Sequence, residues 1–435
     1  MAEKTTEKKN YKDLLNEKEY SKLLLSNLVN RFGDSLDAIA FTWLIYHITQ
    51  SASWAVLIFG LNVLPNIIVQ PFAGPIIEKM DKKKIIVLTH LARGIIITGF
   101  VLIYMYGKAN PFIMAGFTLL ITTIESFNLP AAGAFVPMVV KKENLSHAMS
   151  LNSSLSSAVS LVGTGAAGII IAKFGVQFTM MIDAATFFIA MIGILSIRNY
   201  EDNKPAAEEA KKEQKAKSDF SYKAMLKDGF KYVLGNKLLV NFAVMAVLMN
   251  FLLVPLNALQ APVAEDVFGL GSELLSVMGM AASLGAIIGS AITPALIERF
   301  KTKNILFSCG VLMGSFMTCV ALGQFVSGMM IAGYMIGGIC YFVMSGAASV
   351  LCGVVSIQFV NVCDRAYLAR AGAVMGALSA AAMPLASILV SCVLVKLSPL
   401  VLIVGCGVTT VALMIIVMFS KMEFDAKKIE VPNAA

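Results

Sequence analysis

The chain has 435 residues, 57% of them hydrophobic and only 14% charged, with a mean hydropathy of +0.77. Soluble domains run about 45–50% apolar and about 25% charged, so this composition excludes a soluble globular protein and indicates an integral membrane chain. The formal net charge of +8 does not point to nucleic acid, because the basic residues fall in breaks between apolar runs and read as the positive-inside signal.

In chain order, a charged leader (1–21) without a cleavable signal pattern precedes the first span, about 22–48. That span carries Arg31, Asp34 and Asp37 near its middle and ends on Trp43 and Tyr46, which suit an interfacial belt. Further spans are expected near 54–77, 85–106 (with Arg93), 111–140 (with Glu125, Pro130 and Pro137), 147–172 and 177–197. Residues 198–236 form a polar linker, too charged to pack a core. Its end, from Phe220 through Met225, Leu226, Phe230, Val233 and Leu234, has the spacing of an amphipathic helix lying on the membrane face. Six more spans follow near 238–262, 273–297, 304–325, 328–360, 367–395 and 399–420, and a polar tail covers 421–435. The runs are about 20 residues long, not the alternating segments of about ten that a barrel shows, so the class is all-α.

The basic loops set the orientation. The leader, Lys79–Lys84, Lys141–Lys142, the linker, Arg299–Lys303, Arg365–Arg370 and the tail collect on one side, which places both termini in the cytoplasm. The halves repeat: IIEKMDKKKI matches LIERFKTKNI, with Glu78 on Glu298 and Lys79 on Arg299, an offset of 220 residues. Two six-helix halves (22–197 and 237–420) entering from the same side imply a pseudo-two-fold axis along the membrane normal, with a substrate site near the midplane.

Catalytic and cofactor signals are missing. There is no GxxxxGK[ST] phosphate loop, the three histidines (His47, His90, His147) make no ligand spacing, and the seven cysteines read as small buried apolar residues. The sequence therefore predicts no enzyme activity, cofactor or metal.

The stretch GPIIEKMDKKK resembles the loop signature of the major facilitator superfamily, through Gly74, Glu78, Lys79 and Lys82–Lys84. Asp81 there is typical of the drug-exporter branch that includes macrolide efflux and siderophore exporters. SNLVNRFGDSLDAIAFTWLIYHIT, THLARG, FNLPAAGAFVPMVV and IDAATFF extend the resemblance over nearly the whole chain. It implies twelve helices, a central cavity lined by the first, fourth, seventh and tenth, and a plasma-membrane exporter working as a monomer. The exporters' Gly-Pro-x-x-Gly-Gly signature reads GTGAAG here. Gly163, Gly165 and Gly168 keep a small-residue surface, while Thr164 replaces the proline.

Ionisable groups in hydrocarbon cost about 2.5–3.5 kcal/mol each on insertion scales and mark function by default. Asp34, Asp37 and Glu125 are the candidates for a proton or a cationic substrate. Arg31, three residues from Asp34, can pair with it locally, and Arg93 can hold a carboxylate or an anion. Glu78, Lys79, Asp81, Lys82, Lys83, Lys84, Glu298 and Arg299 form a candidate cytoplasmic gate. Asn250 and Asn257 flank Pro255, while Tyr341, Ser345, Ser349 and Ser356 (with Cys352) form a stripe. Both sets fit either a wet cavity or a helix contact. The expected activity is proton-coupled export of an amphipathic lipophilic or cationic molecule. An exporter or flippase of an anionic amphiphile, such as a siderophore or lysophospholipid, is the alternative. A non-transporting membrane sensor or scaffold is the reading from another class.

Overall fold

Side chains that accept from otherwise unpaired amides decide where four helices of the computed structural model begin. Asp81 accepts from the amides of Lys83 and Lys84, Asn110 from Ile113, Asn236 from Leu238 and Ser398 from Val401. Pro111 and Pro399 occupy the first turns that follow two of these caps, where no amide is needed. Gly175, at φ +84°, divides two helices in a conformation that glycine adopts without strain.

The structure describes residues 14, 16–141, 144–198, 222–364, 367–420 and 422–424. Most of the linker, Phe220, Arg365 and the tail from residue 425 lie outside them. The helices are α1 (Lys18–Thr49), α2 (Ala52–Ile68), α3 (Gln70–Lys79), α4 (Lys82–Met105), α5 (Pro111–Val139), α6 (Leu145–Phe174), α7 (Val176–Leu195), α8 (Tyr222–Gly235), α9 (Lys237–Ala258), α10 (Ser272–Arg299), α11 (Thr302–Cys319), α12 (Met330–Val362), α13 (Leu368–Leu394) and α14 (Pro399–Phe419). Among the described residues, ten helices are long and apolar enough to cross a membrane. The α1 helix, with its three central charges, and α2, with only 17 residues, are not among the ten.

The chain forms two compact units, residues 1–44 with 64–219 and residues 45–63 with 220–435. In the first unit, Leu23, Ile77, Ile86, Phe135 and Ile194 bring α1, α3, α4, α5 and α7 into one buried cluster. Beside it, lysines cap the C-terminus of α7, where the helix dipole attracts cations. Lys83 donates to the carbonyls of Leu195 (2.9 Å) and Ile197 (2.6 Å), and Lys22 to that of Ser196 (3.0 Å). Glu19 completes the set, accepting from Lys22 (2.9 Å) and from the Arg198 amide (2.9 Å).

Burial works to raise the Glu19 carboxyl, but Lys22, the Arg198 amide and Lys83 outweigh it and hold it below its ordinary value. A depressed carboxyl contributes stability that is complete above the unfolded-state value and is lost as pH falls through the folded one. Acid unfolding of the purified protein should therefore shift to higher pH, by a fraction of a unit, in Glu19→Gln when followed by thermal midpoint. Equal midpoints at every pH would remove Glu19 from the account.

In the second unit, residues 45–63 are held by small-residue packing. A Cβ at Gly60 would collide with Ser387, Ser53 Oγ donates to the Ser391 carbonyl (2.8 Å), and Tyr46 Oη donates to Asp266 (2.5 Å). The α10 and α12 helices meet backbone to backbone at Gly285, Gly289 and Gly346, where Ser349 Oγ donates to the Ala286 carbonyl (2.9 Å). Gly314 and Gly407 join α11 to α14 in the same way. The α8 helix rests on protein. Val233 is buried, Tyr232 stacks on Tyr367 at 4.3 Å, and a Cβ at Gly229 would lie 2.6 Å from the Arg370 carbonyl oxygen of α13.

Candidate functional site

Residues 30, 34 and 37 fall one and two turns apart along α1, and so share one face of it. Asn30 Nδ2 donates to Asp34 Oδ2 at 2.8 Å, and Arg93 Nη2 of α4 donates to Asp34 Oδ1 at 3.1 Å. The partner of Asp34 is thus 59 residues away. The local pair with Arg31 is not formed: Arg31 is exposed, while the buried Arg93 reaches across from α4. The Arg93 guanidinium carbon also lies 4.2 Å from the centre of the buried Phe187 ring of α7, a cation–π contact.

Around this ion pair the acids outnumber the bases. Arg93 is in electrostatic reach of four carboxylates: Asp34, Glu125, Asp183 and Asp37. Asp183 is 1% exposed. A Cβ at Gly33 would overlap Thr186 Oγ1 and lie 2.5 Å from Asp183 Oδ1, so only glycine lets α1 come this close to that carboxyl. Buried atoms without a hydrogen-bond partner among the described residues include Asp37 Oδ1, Asp183 Oδ1, Arg93 Nε, His90 Nδ1 and Asn30 Oδ1. Most buried polar groups in folded proteins have a partner, so this gathering sets the region apart from the rest of the first unit's interior.

A cavity of about 290 Å³ within the first unit reaches two of these residues, Asn30 and His90, and is lined also by Asn27, Arg31, Asn128 and Asn152. The α6 helix closes one side through small residues. Ser35 Oγ donates to Ser160 Oγ (3.0 Å), and a Cβ at Gly163 would lie 2.9 Å from Ser35 Cβ and 3.1 Å from the Phe32 carbonyl oxygen. The glycine-rich stretch therefore works as a packing surface against α1 at the level of Asp34, with Gly168 buried and Gly165 half-buried on the same helix.

The sequence of the family described as Major Facilitator Superfamily matches residues 23–391. The chain belongs to the Major Facilitator Superfamily. It is a membrane transporter and not an enzyme, and its setting is a lipid bilayer with a small-molecule substrate. The uncharacterized MFS-type transporter YvqJ of Bacillus subtilis (strain 168) is 24% identical over 309 residues, covering 69% of this chain and 70% of that protein. Macrolide efflux protein A of Streptococcus pyogenes is 23% identical over 355 residues, covering 80% of this chain and 82% of that protein. Among solved structures, a mutant of the nucleoside transporter NupG superposes with a TM-score of 0.75 at 12% identity, over 92% of this chain and 100% of the other, which shows the fold alone.

The other superfamily positions singled out from the sequence scatter. Gly74, Glu78 and Lys79 lie on α3, with side chains outside the described residues. Asp81 starts α4 and Lys83 caps α7, so part of the basic loop acts inside the first unit; Lys82 is buried and Lys84 exposed. Glu298 and Arg299 are exposed at the end of α10. Asn250 folds back onto the Ala246 carbonyl of its own helix (2.9 Å), and Asn257 is exposed. The stripe on α12 divides: Tyr341 is buried, Ser349 belongs to the seam with α10, Ser345 is half-buried and Ser356 exposed.

Sequence reasoning missed Asp183, His90 and the amide set Asn27, Asn128 and Asn152. For Asp183 a signal existed, a lone acid inside an apolar span. The neutral amides carry no such mark, because asparagine in a span is compatible with ordinary helix contacts.

Proposed function

We propose that this transporter is a secondary exporter of twelve crossings in two six-helix halves, 22–197 and 237–420, with both termini cytoplasmic. It moves an amphipathic lipophilic or cationic small molecule out of the cell by alternating access, in exchange for protons, as a monomer in the plasma membrane. The observation that carries the reading is the charge count around Arg93, one buried guanidinium in reach of four carboxylates. An uncompensated buried carboxylate costs several kcal/mol. The surplus is therefore neutralised by protons, or by a cation that displaces them. The name of the macrolide-efflux relative agrees with this direction and substrate type. Asp34, Asp37 and Glu125 are the coupling groups, Arg93 and Arg31 their charge partners. The basic loop, with Glu298 and Arg299, closes the cytoplasmic side.

One observation favours the alternative of an anionic amphiphile. Asp34 is taken by Arg93, and the cavity in the first unit carries Arg31 among neutral amides. A single experiment decides between the two. In proteoliposomes with an imposed pH gradient, uptake of tetraphenylphosphonium should be driven by the gradient, and Asp34→Asn and Glu125→Gln should each reduce it to the level seen without a gradient. If both variants keep gradient-driven transport, the carboxylates are not the coupling groups. If a lysophospholipid competes and tetraphenylphosphonium does not, the anionic reading replaces the cationic one.

A further inference from the structure

In the second unit a groove of about 410 Å³ is lined by α13, α14 and, through Phe251 and Leu252, α9. It follows from the course of these helices. Among the described residues α9 packs on both α13 and α14, but those two, although joined by a short connection, scarcely meet. Val393 of α13 and Val401 of α14 line the gap and are exposed. A Cβ at Gly405, which also lines it, would meet nothing within 4 Å. The one hydroxyl of the lining, that of Thr409, is spent on the Gly405 carbonyl (2.7 Å). The remaining side chains are hydrocarbon and the Cys406 thiol, so an apolar occupant fits and a polar one would lose its hydrogen bonds.

Length and charge select the occupant. The α14 helix begins at Pro399, and from Val401 to Thr409 the groove runs eight residue steps (409 − 401), about 12 Å at 1.5 Å per residue. Half of a hydrocarbon core of about 30 Å is about 15 Å, so the groove has the depth of one leaflet, whereas a partner's helix crossing the bilayer would need both. At the end where α14 begins, Leu397 lines the groove and its neighbour Lys396 is exposed. Lys396 is the one cation between residues 371 and 420, a stretch without an acid.

We propose that this groove is a phospholipid site, holding one acyl chain of a lipid whose anionic headgroup rests on Lys396. Walls from three helices give the chain more dispersion contacts than a single helix face offers. They cover it where α13 and α14 do not cover each other. A lysine at the membrane surface attracts anionic headgroups and supplies the selection. The site does not depend on the direction or the coupling of transport.

Native mass spectrometry of the full-length protein released from detergent tests it, with dioleoyl-phosphatidylglycerol and dioleoyl-phosphatidylcholine added in equal amounts. Phosphatidylglycerol should be retained in several-fold excess over phosphatidylcholine. Lys396→Ala should bring the two to equal retention. Gly405→Leu, which fills the groove without meeting a neighbour, should cut retention of phosphatidylglycerol several-fold. A phosphatidylglycerol with a photoactivatable group on its chain should mark peptides of α13 and α14 in the unsubstituted protein, and decides the matter alone should a variant fail to fold. Retention unchanged by Gly405→Leu, equal retention of the two lipids by the unsubstituted protein, or chain labels that avoid α13 and α14 each overturn the proposal. So does a dimer that Gly405→Leu dissolves, which would put a second copy of the chain in the groove.

Discussion

Arg93→Ala is expected to be the most damaging single substitution in the first unit. Removing one partner of a buried ion pair costs about 3–5 kcal/mol, because the remaining charge is left without compensation. Here Asp34 is the direct partner, and Asp37, Glu125 and Asp183 share the same cation. The contact with Phe187 is lost as well. The thermal midpoint in detergent should fall steeply for Arg93→Ala and recover substantially in Arg93→Ala with Asp34→Asn, since that pair removes charge on both sides. Arg93→Lys should recover only part, because an ammonium cannot bond Asp34 and lie over Phe187 as a planar guanidinium does. An Arg93→Ala protein as stable as the unsubstituted one would mean that the four acids do not depend on this cation.

Gly289→Leu should have the largest effect in the second unit. A Cβ at that position would overlap the Gly346 carbonyl oxygen and lie 3.1 Å from two further backbone atoms of the same residue. Backbone cannot move aside as a side-chain tip can, so α10 and α12 must separate along the seam at Gly285, Gly289 and Gly346. Overpacking costs about 1–3 kcal/mol where neighbours can relax, and this contact sits at the upper end. Gly405→Leu is the matched control, since nothing lies within 4 Å of a Cβ there. Thermal unfolding of both variants should show a large drop for Gly289→Leu and almost none for Gly405→Leu. Equal midpoints would mean that the seam is not close-packed.

The all-α membrane class was readable in the sequence because it rests on long apolar runs, which survive any detail of packing. The two compact units do not follow chain order, since residues 45–63 group with the second. Small residues at Ser53 and Gly60 let residues 45–63 pack on Ser387 and Ser391 of the second unit. A span-by-span hydropathy reading contains nothing about which glycine or serine meets which. The same limit governs the site. Arg31 and Asp34 looked like a pair because sequence separation was the only geometry at hand, whereas α4 supplies Arg93 from 59 residues away. Asp81 and Lys83 read as a gate by motif, and the structure adds that one begins a helix and the other ends one. Asp183 was visible as an acid in an apolar run, but its importance depends on Gly33 facing it from α1.

The central claim is that a substrate cation and a proton compete for the carboxylates around Arg93, and proton release on binding measures that competition directly. Tetraphenylphosphonium added to the purified protein in a weakly buffered solution near pH 7 should liberate protons, followed by a pH indicator. The release should saturate with binding and be lost in Asp34→Asn. Saturable binding with no proton release in the unsubstituted protein would contradict the account.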